Sequence, residues 1–458
     1  MNSQVKKNKH HQTCSIHVVE NTEQSLSGWT CCRIGEQIII NPSRLATYCL
    51  AKWDARVYDA FVVAAAVQYC DHIKARPSRG WGRHFELRIP VHDPDLWNSA
   101  AVSLSILDAL CFLTGDQWDL SFVARKNEAP KPENYIIQTE STVIIPYSDG
   151  LDSHITAKLI EDELGAWPLL VRLASKQSKG VPAVSRTKPF ATVPYQVKYK
   201  SRESSGRSRG FKFTLLSGVA AFLTGAQRIV LPESGQGSLA PAMLPAGQAY
   251  EDYRNHPLFT VRMEKFLKAL FGVKVRYEYP HIWQTKGQTV SKYRNMFPEL
   301  DSWKNTRSCW QPSHQVSVNG EVRQCGICAA CIFRRMSIHS AKLVESSTTY
   351  VWNNLSAPSF EEAADPDHTI KNPHGAMRDY AIAAVLHHEH FAEILQAESS
   401  LVSVQRHIHD LSQSLEIDVS EANAKLHQLV VQHRAEWHGY LDSLGPKSFI
   451  AQLTSRAK

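Results

Sequence analysis

The stretch STVIIPYSDGLDS, residues 141–153, constrains the fold more than any other, because it reads without interruption as strand, tight loop and helix start. The β-branched run over 141–147 suits a buried strand. Beyond it, Leu151, Ile155, Leu159 and Leu164 fall on one stripe of a helix. Strand, tight loop, helix is the skeleton of a nucleotide-binding βα unit. Further strands expected over 169–173 and 228–232, with a helix-like 211–224 between them, predict an α/β fold built on a parallel, helix-covered sheet.

The loop itself has phosphate chemistry. Backbone N–H groups at a helix start are unpaired and carry partial positive charge, so they can hold an oxyanion. Ser148 and Ser153 add hydroxyl donors, Gly150 allows close backbone approach, and Asp152 either caps the helix or helps bind a cation between phosphates. A Ser- or Asp-capped helix after a strand accounts for several of the same residues and remains the plainer alternative.

Around this unit the 458 residues divide into three segments: an N-terminal α/β extension and linker (1–135), the βα-containing core (136–345) and a helical tail (346–458). The first segment predicts a helix over 55–75, a strand over 84–91, a helix over 96–113 opened by Asp93 and Asp95, a strand over 118–124 and a linker over 126–134. The tail predicts helices over 377–396 and 420–444. Its HHEH run, 387–390, has helical spacing for metal ligands but lacks an evident third ligand, so a solvated helix face is the expectation.

Three thiols in seven residues, Cys325, Cys328 and Cys331, follow Cys309 by sixteen. That spacing fits a tetrahedral zinc site; an iron–sulfur cluster needs the same four thiolates but finds no redox partner in the chain. Ten cysteines so unevenly placed do not make a disulfide framework, and the chain reads as reduced and cytoplasmic. The longest clean apolar run, 60–67, is far shorter than the roughly 20 residues a membrane span needs. Charge is concentrated: residues 175–213 hold ten basic side chains and one acidic one, a local +9 against a whole-chain +7. This is either a solvated loop or a contact for an anionic partner, nucleic acid included.

SDGLDS resembles the SGGxDS loop of the PP-loop ATP pyrophosphatases, which cleave ATP between the α- and β-phosphates and activate a substrate by adenylation. Asp149 stands where that family normally has Gly, and a carboxylate there repels a triphosphate unless it points away or binds the counter-cation. TRSCW with CGICAACIFRR resembles the zinc end of the QueC family, the 7-cyano-7-deazaguanine synthases. SRGFKF, containing Ser208, Arg209 and Phe213, and TKGQT around Lys286 resemble that family's arginine and lysine motifs. The ordinary synthase lacks both terminal segments. PESGQGSLAP from Pro232, HPLF at His256, YPHIWQTKGQ and RHFELRIPV are similar to long QueC-like proteins of bacterial anti-phage Qat systems.

The resemblance implies an ATP-dependent ligase with ATP, Mg2+ and Zn2+. It adenylates 7-carboxy-7-deazaguanine, releases pyrophosphate and passes the acyl group to ammonia or to an amine of a partner protein in the same defence system. It places the pyrophosphate at Ser148, Asp149, Gly150, Leu151, Asp152 and Ser153, substrate or phosphate charge at Arg209, Glu233 and Lys286, and structural zinc at Cys309, Cys325, Cys328 and Cys331. Three other classes are compatible with the residues. One is a tRNA-modifying enzyme with a persulfide on Cys14, Cys31, Cys32, Cys49, Cys70 or Cys111; the others are a non-catalytic nucleotide-sensing scaffold and a zinc-containing nucleic-acid-binding module.

Overall fold

The computed structural model describes residues 13–48, 54–129, 143–173, 190–245, 247, 249–368 and 375–455. In chain order the elements begin β1 (Cys14–Glu20), β2 (Thr30–Ile34), β3 (Ile38–Ile40), α1 (Pro42–Leu45), α2 (Ala55–Ile73), β4 (His84–Val91), α3 (Pro94–Asn98), α4 (Ala100–Thr114) and β5 (Gln117–Ala124). Then come β6 (Val143–Tyr147), α5 (Leu151–Leu164), β7 (Leu169–Arg172), β8 (Tyr195–Val197), α6 (Arg209–Thr224), β9 (Arg228–Val230), α7 (Gly235–Met243), α8 (Pro257–Phe271) and β10 (Arg276–Glu278). The chain continues through α9 (Lys286–Met296), β11 (Ser317–Val318), β12 (Glu321–Val322), α10 (Ala329–Ser340), α11 (Ala376–Glu393), α12 (Leu401–Leu415), α13 (Val419–Leu444) and α14 (Phe449–Ser455). Two compact units result, and neither is continuous in sequence.

The first unit comprises the chain up to Pro146 together with Pro168–Val230 and Pro245–Glu278. Its six-stranded sheet has the order β5-β4-β1-β2-β3-β8, parallel throughout except for β8, which runs against β3. Alternation in β4 drives Phe85, Leu87 and Ile89 into the core, the period-2 pattern expected of a strand. Helix α2 is buried along most of its length (Val57, Phe61, Val63 and Val67 among others), which suits a helix covered by several neighbours at once. A second sheet has the order β10-β9-β6-β7, with β10 parallel to β9 and β9 parallel to β6. The fold is thus α/β, with mixed sheets in which parallel pairing dominates.

The single helix expected over 96–113 is two. Asp93 caps α3 by accepting from Leu96 N at 3.0 Å, and Ser99 then turns extended (ψ 145°) with its hydroxyl donating to Leu96 O at 2.6 Å. Serine competes for backbone partners in this way, so one short helix ends where the next begins.

The second unit comprises Tyr147–Trp167, Leu231–Leu244 and everything from Tyr279 onward. Its largest core gathers the Cys325–Cys331 loop, Ile332, Val351, Trp352, Leu355, Phe360, Val385, Trp437 and Ile450, so the helical tail and the cysteine loop share one interior. A smaller cluster packs α5 on α9 through Leu151, Ile155, Leu159, Val290 and Tyr293. The solvated face expected for 387–390 is corrected here: His388 and Glu389 are each only 4% exposed, His387 is half-buried, and His390 alone is exposed. Helix α11 is gripped by α10, α13 and α14, so its buried arc is wider than its apolar residues mark out. Among the described residues no helix is long and apolar enough to cross a membrane.

Candidate functional site

Strand β6 runs into Ser148, Asp149 and Gly150, and α5 starts at Leu151 with no side chain capping it. The two serines of the loop meet: Ser148 N donates to Ser153 Oγ (3.3 Å), the hydroxyls lie 3.3 Å apart, and Ser153 Oγ donates to Gly150 O (3.1 Å). Ser148 is exposed while Ser153 is buried, so the turn presents one hydroxyl outward and anchors the other. A Cβ on Gly150 would stand 3.2 Å from Ser148 Oγ, tight enough to disturb that arrangement. The uncapped start of a 14-residue helix leaves the N–H groups that an oxyanion needs.

Asp149 adopts φ +59°, the left-handed region in which a residue without Cβ is at ease. Asp tolerates that conformation better than most side chains. Its carbonyl accepts from Arg307 N at 3.1 Å, which ties the loop to the segment leading into Cys309.

Lys286 opens α9, where Thr285 and Gln288 form a reciprocal capping box. Lys286 Nζ donates to Asp152 Oδ2 at 2.6 Å, and the lysine is 4% exposed. The carboxylate that the sequence offered to a cation therefore has an ammonium as its partner at that oxygen. Lys286 N donates to Gln236 Oε1 (2.8 Å), Gln236 Nε2 contacts His433 Nδ1 (2.8 Å), and Thr285 Oγ1 donates to Glu436 Oε1 (2.5 Å). A Cβ on Gly287 would fall 2.7 Å from both Glu436 carboxylate oxygens, so the lysine motif needs its glycine to admit α13. Burial raises the Glu436 carboxyl above the usual carboxylate range. Thr156 Oγ1 donates to Pro232 O (3.3 Å), drawing the segment that carries Glu233 to α5; the Glu233 carboxylate lies against Gly237. An open groove of about 560 Å3 is lined by Gln288, Ser291, Lys292, Asn295, Gln432 and Glu436 among others, and Ser148 to Ser153 do not line it.

The second unit thus brings together Ser148, Asp149, Gly150, Leu151, Asp152, Ser153 and Lys286, with Glu233 on a neighbouring segment. Arg209 belongs to the first unit, where it is exposed at the start of α6 with its guanidinium 4.8 Å from the Phe213 ring centroid. Of the basic 175–213 stretch, Lys176, Lys179, Arg186 and Lys188 lie outside the described residues. Arg207 pairs with Asp252 (2.7 Å), Lys198, Lys200 and Arg202 are exposed, and burial pushes the Lys212 amine down to about 8, with the Arg209 charge adding to it.

The four cysteines converge. Cys325, Cys328 and Cys331 are buried, Cys309 is half-buried, and the four sulfurs lie within 4.8 Å of one another. Cys325 Sγ and Cys331 Sγ are 3.7 Å apart. Thiolates about 2.3 Å from a tetrahedral zinc would be separated by ~3.8 Å, so the set fits such an ion. Backbone N–H groups of Gln311 and Cys325 point at Cys309 Sγ (3.4 and 3.2 Å), and that of Cys328 at Cys325 Sγ (3.2 Å). These donors favour charged sulfur. Four protein ligands leave no open coordination position, which makes a metal here structural.

Several contributors escape a sequence reading. Arg307 acts through its backbone N–H, and Gln324 Oε1 accepts from Ser308 N (2.9 Å) and Cys309 N (3.1 Å), holding the Cys309 loop beside the segment that leads into Cys325. Arg334, fully buried, bonds Glu345 (2.8 Å), Thr306 Oγ1 (2.6 Å) and Trp303 O (3.3 Å). Its place in CIFRR was the one visible hint. Four of the six cysteines offered for persulfide chemistry fare poorly. Burial raises Cys14, Cys32, Cys70 and Cys111 above the ordinary thiol range, the reverse of what a reactive thiolate needs, and Cys49 lies outside the described residues. Compared with known proteins, the chain matches no family model, no curated protein and no solved structure.

Proposed function

We propose that the chain is an ATP-dependent, AMP- and pyrophosphate-forming ligase of QueC-like PP-loop type that adenylates a 7-deazaguanine carboxylate. The observation that carries this reading is the Lys286–Asp152 ion pair at the uncapped start of α5. It sets a cation beside a ready-made oxyanion site, and the Arg307 N–H links that site to the four-thiol loop.

In this reaction a carboxylate oxygen of the substrate attacks the α-phosphorus of ATP. The bond to the bridging oxygen of the β-phosphate breaks, and pyrophosphate leaves. An amine then attacks the acyl carbon, loses a proton and expels AMP, giving an amide. The chain needs no nucleophile of its own; its residues position and neutralise charge. Backbone N–H groups at 150–153 and the Ser148 hydroxyl hold the leaving diphosphate. Lys286, aimed by Asp152 and by its backbone bond to Gln236, meets the developing negative charge. Glu233, on the segment that Thr156 draws to α5, recognises the substrate. Mg2+ would accompany ATP as its counter-ion, and zinc on Cys309, Cys325, Cys328 and Cys331 would brace the loop that carries Arg307.

The acceptor is ammonia or an amine of a partner protein, a reading supported by the extra mass at both ends of the chain. Pyrophosphate release from ATP, Mg2+ and 7-carboxy-7-deazaguanine is the direct test. Lys286→Met lowers its rate by about 10²–10³, the scale for removing one aimed charge-stabilising group. Absence of ATP uptake by calorimetry overturns the reading. A mass increase on a candidate partner, read by intact-protein mass spectrometry, separates the two acceptors.

A further inference from the structure

The HHEH run belongs to a second cluster of ligand-type side chains, on helices α11 and α13. Glu389 and Glu393 are four residues apart and so share one face of α11. His438 faces them from α13, and a ligand atom from each of the three lies within 4.8 Å of the others. His438 Nε2 is 3.7 Å from Glu393 Oε1, and Arg434 Nε is 3.4 Å from the same oxygen. Both exceed the roughly 2.9 Å of a closed N–H···O hydrogen bond. The histidine spacing is instead close to the ~3.4 Å that separates two ligands each about 2.1 Å from a tetrahedral ion.

Glu389 supplies a second, independent observation. It is 4% exposed, and it accepts from the neutral indole of Trp437 (Nε1 to Oε2, 2.8 Å). Among the described residues no cation lies within ion-pair distance of it, whereas burying a carboxylate requires a compensating charge. Arg434, with a side chain 40% exposed, is at the far carboxylate and also reaches the Gln396 side-chain oxygen.

We infer that Glu389, Glu393 and His438 form a second metal site, distinct from the four thiolates, that takes a divalent first-row transition ion with water completing its coordination. Two carboxylates and one imidazole are a harder donor set than four sulfurs, so this site suits ions such as Mn2+, Fe2+ or Co2+, which the four thiolates do not favour. Trp437 orients the Glu389 carboxylate from behind, the arrangement by which outer residues fix a ligand. The ion would cross-link α11 to α13 within one unit. Nothing in this inference depends on the adenylation reading.

The test uses full-length protein with zinc left in place, no nucleotide, and Mn2+ as the probe, its free concentration followed by electron paramagnetic resonance. One Mn2+ binds per chain and raises the melting temperature. His438→Ala and Glu393→Gln each weaken binding about tenfold or more, while Asp379→Asn, on the first turn of the same helix, does not. His438 is 38% exposed at the side chain, so its removal leaves the fold intact, and circular dichroism checks both variants. Failure of the wild-type chain to take up Mn2+, or uptake that survives both substitutions, overturns the site.

Discussion

Acid should loosen the second unit through its buried histidines, His433 among them. His433 is fully buried on α13, and both ring nitrogens are engaged. Nε2 faces the His388 carbonyl at 2.9 Å, an acceptor only, so Nε2 carries the proton; Nδ1 then accepts from Gln236 Nε2 at 2.8 Å. Burial pushes the imidazole down from its ordinary 6.5 to about 4. The folded chain therefore resists a proton that the unfolded chain accepts, and stability falls as pH drops from about 6.5 towards 4. Below that range both states are protonated and the loss levels off. The full interval is worth about 3 kcal/mol, and by pH 5 about 2 kcal/mol is gone. Protonation would also set an Nδ1–H against the Gln236 amide donor. Gln236 could answer only by turning over, which breaks its bond to Lys286 N. Urea unfolding at pH 7.5, 6.5, 5.5 and 5 measures the slope, and His433→Gln should take about one proton's worth out of it. An unchanged slope in that variant, or a His433 ring resonance that titrates near 6.5, refutes the reasoning.

Three further outcomes are expected. Asp149→Gly removes a carboxylate from the loop and a side chain from φ +59°, so ATP binds more tightly by calorimetry while unfolding free energy changes by no more than ~1 kcal/mol. Arg334→Met leaves the Glu345 carboxylate buried without its partner and costs about 3–5 kcal/mol in a denaturant titration. Removing metal with a chelator, or making Cys325→Ser, eliminates one tightly held zinc by elemental analysis and lowers the melting temperature, because those sulfurs sit inside the largest core of the second unit.

Much of the architecture could be read from local pattern. The strand before Ser148, the stripe on α5, helix α2 and strand β4 each follow from periodicity over a few residues, and the cysteine spacing alone foretold a four-sulfur cluster. The losses share a cause. Arg307 works through a backbone N–H, and Gln236, His433 and Glu436 work through contacts made between segments some fifty to two hundred positions apart. No short pattern records such a meeting. The HHEH run misled because amphipathic reasoning assigns polar residues outward. His388 and Glu389 instead turn inward, where the rings of Phe333, His433 and Trp437 surround the imidazole and an indole N–H meets the carboxylate. Helix α12 lies between the two expected tail helices and is not among the expected elements.

The interleaving of the two units bears on how the polypeptide is made. The chain passes from one body to the other five times, so a ribosome cannot finish either before beginning the next. The loop at 148–153 emerges well ahead of Lys286 and of Val290, Tyr293 and Trp303, against which its helix packs. Until then its apolar stripe has nothing to rest on. A nascent chain of this kind waits, partly assembled and sticky, and fragments cut at 345 would leave Trp352, Trp437 and the thiol loop with half a core each.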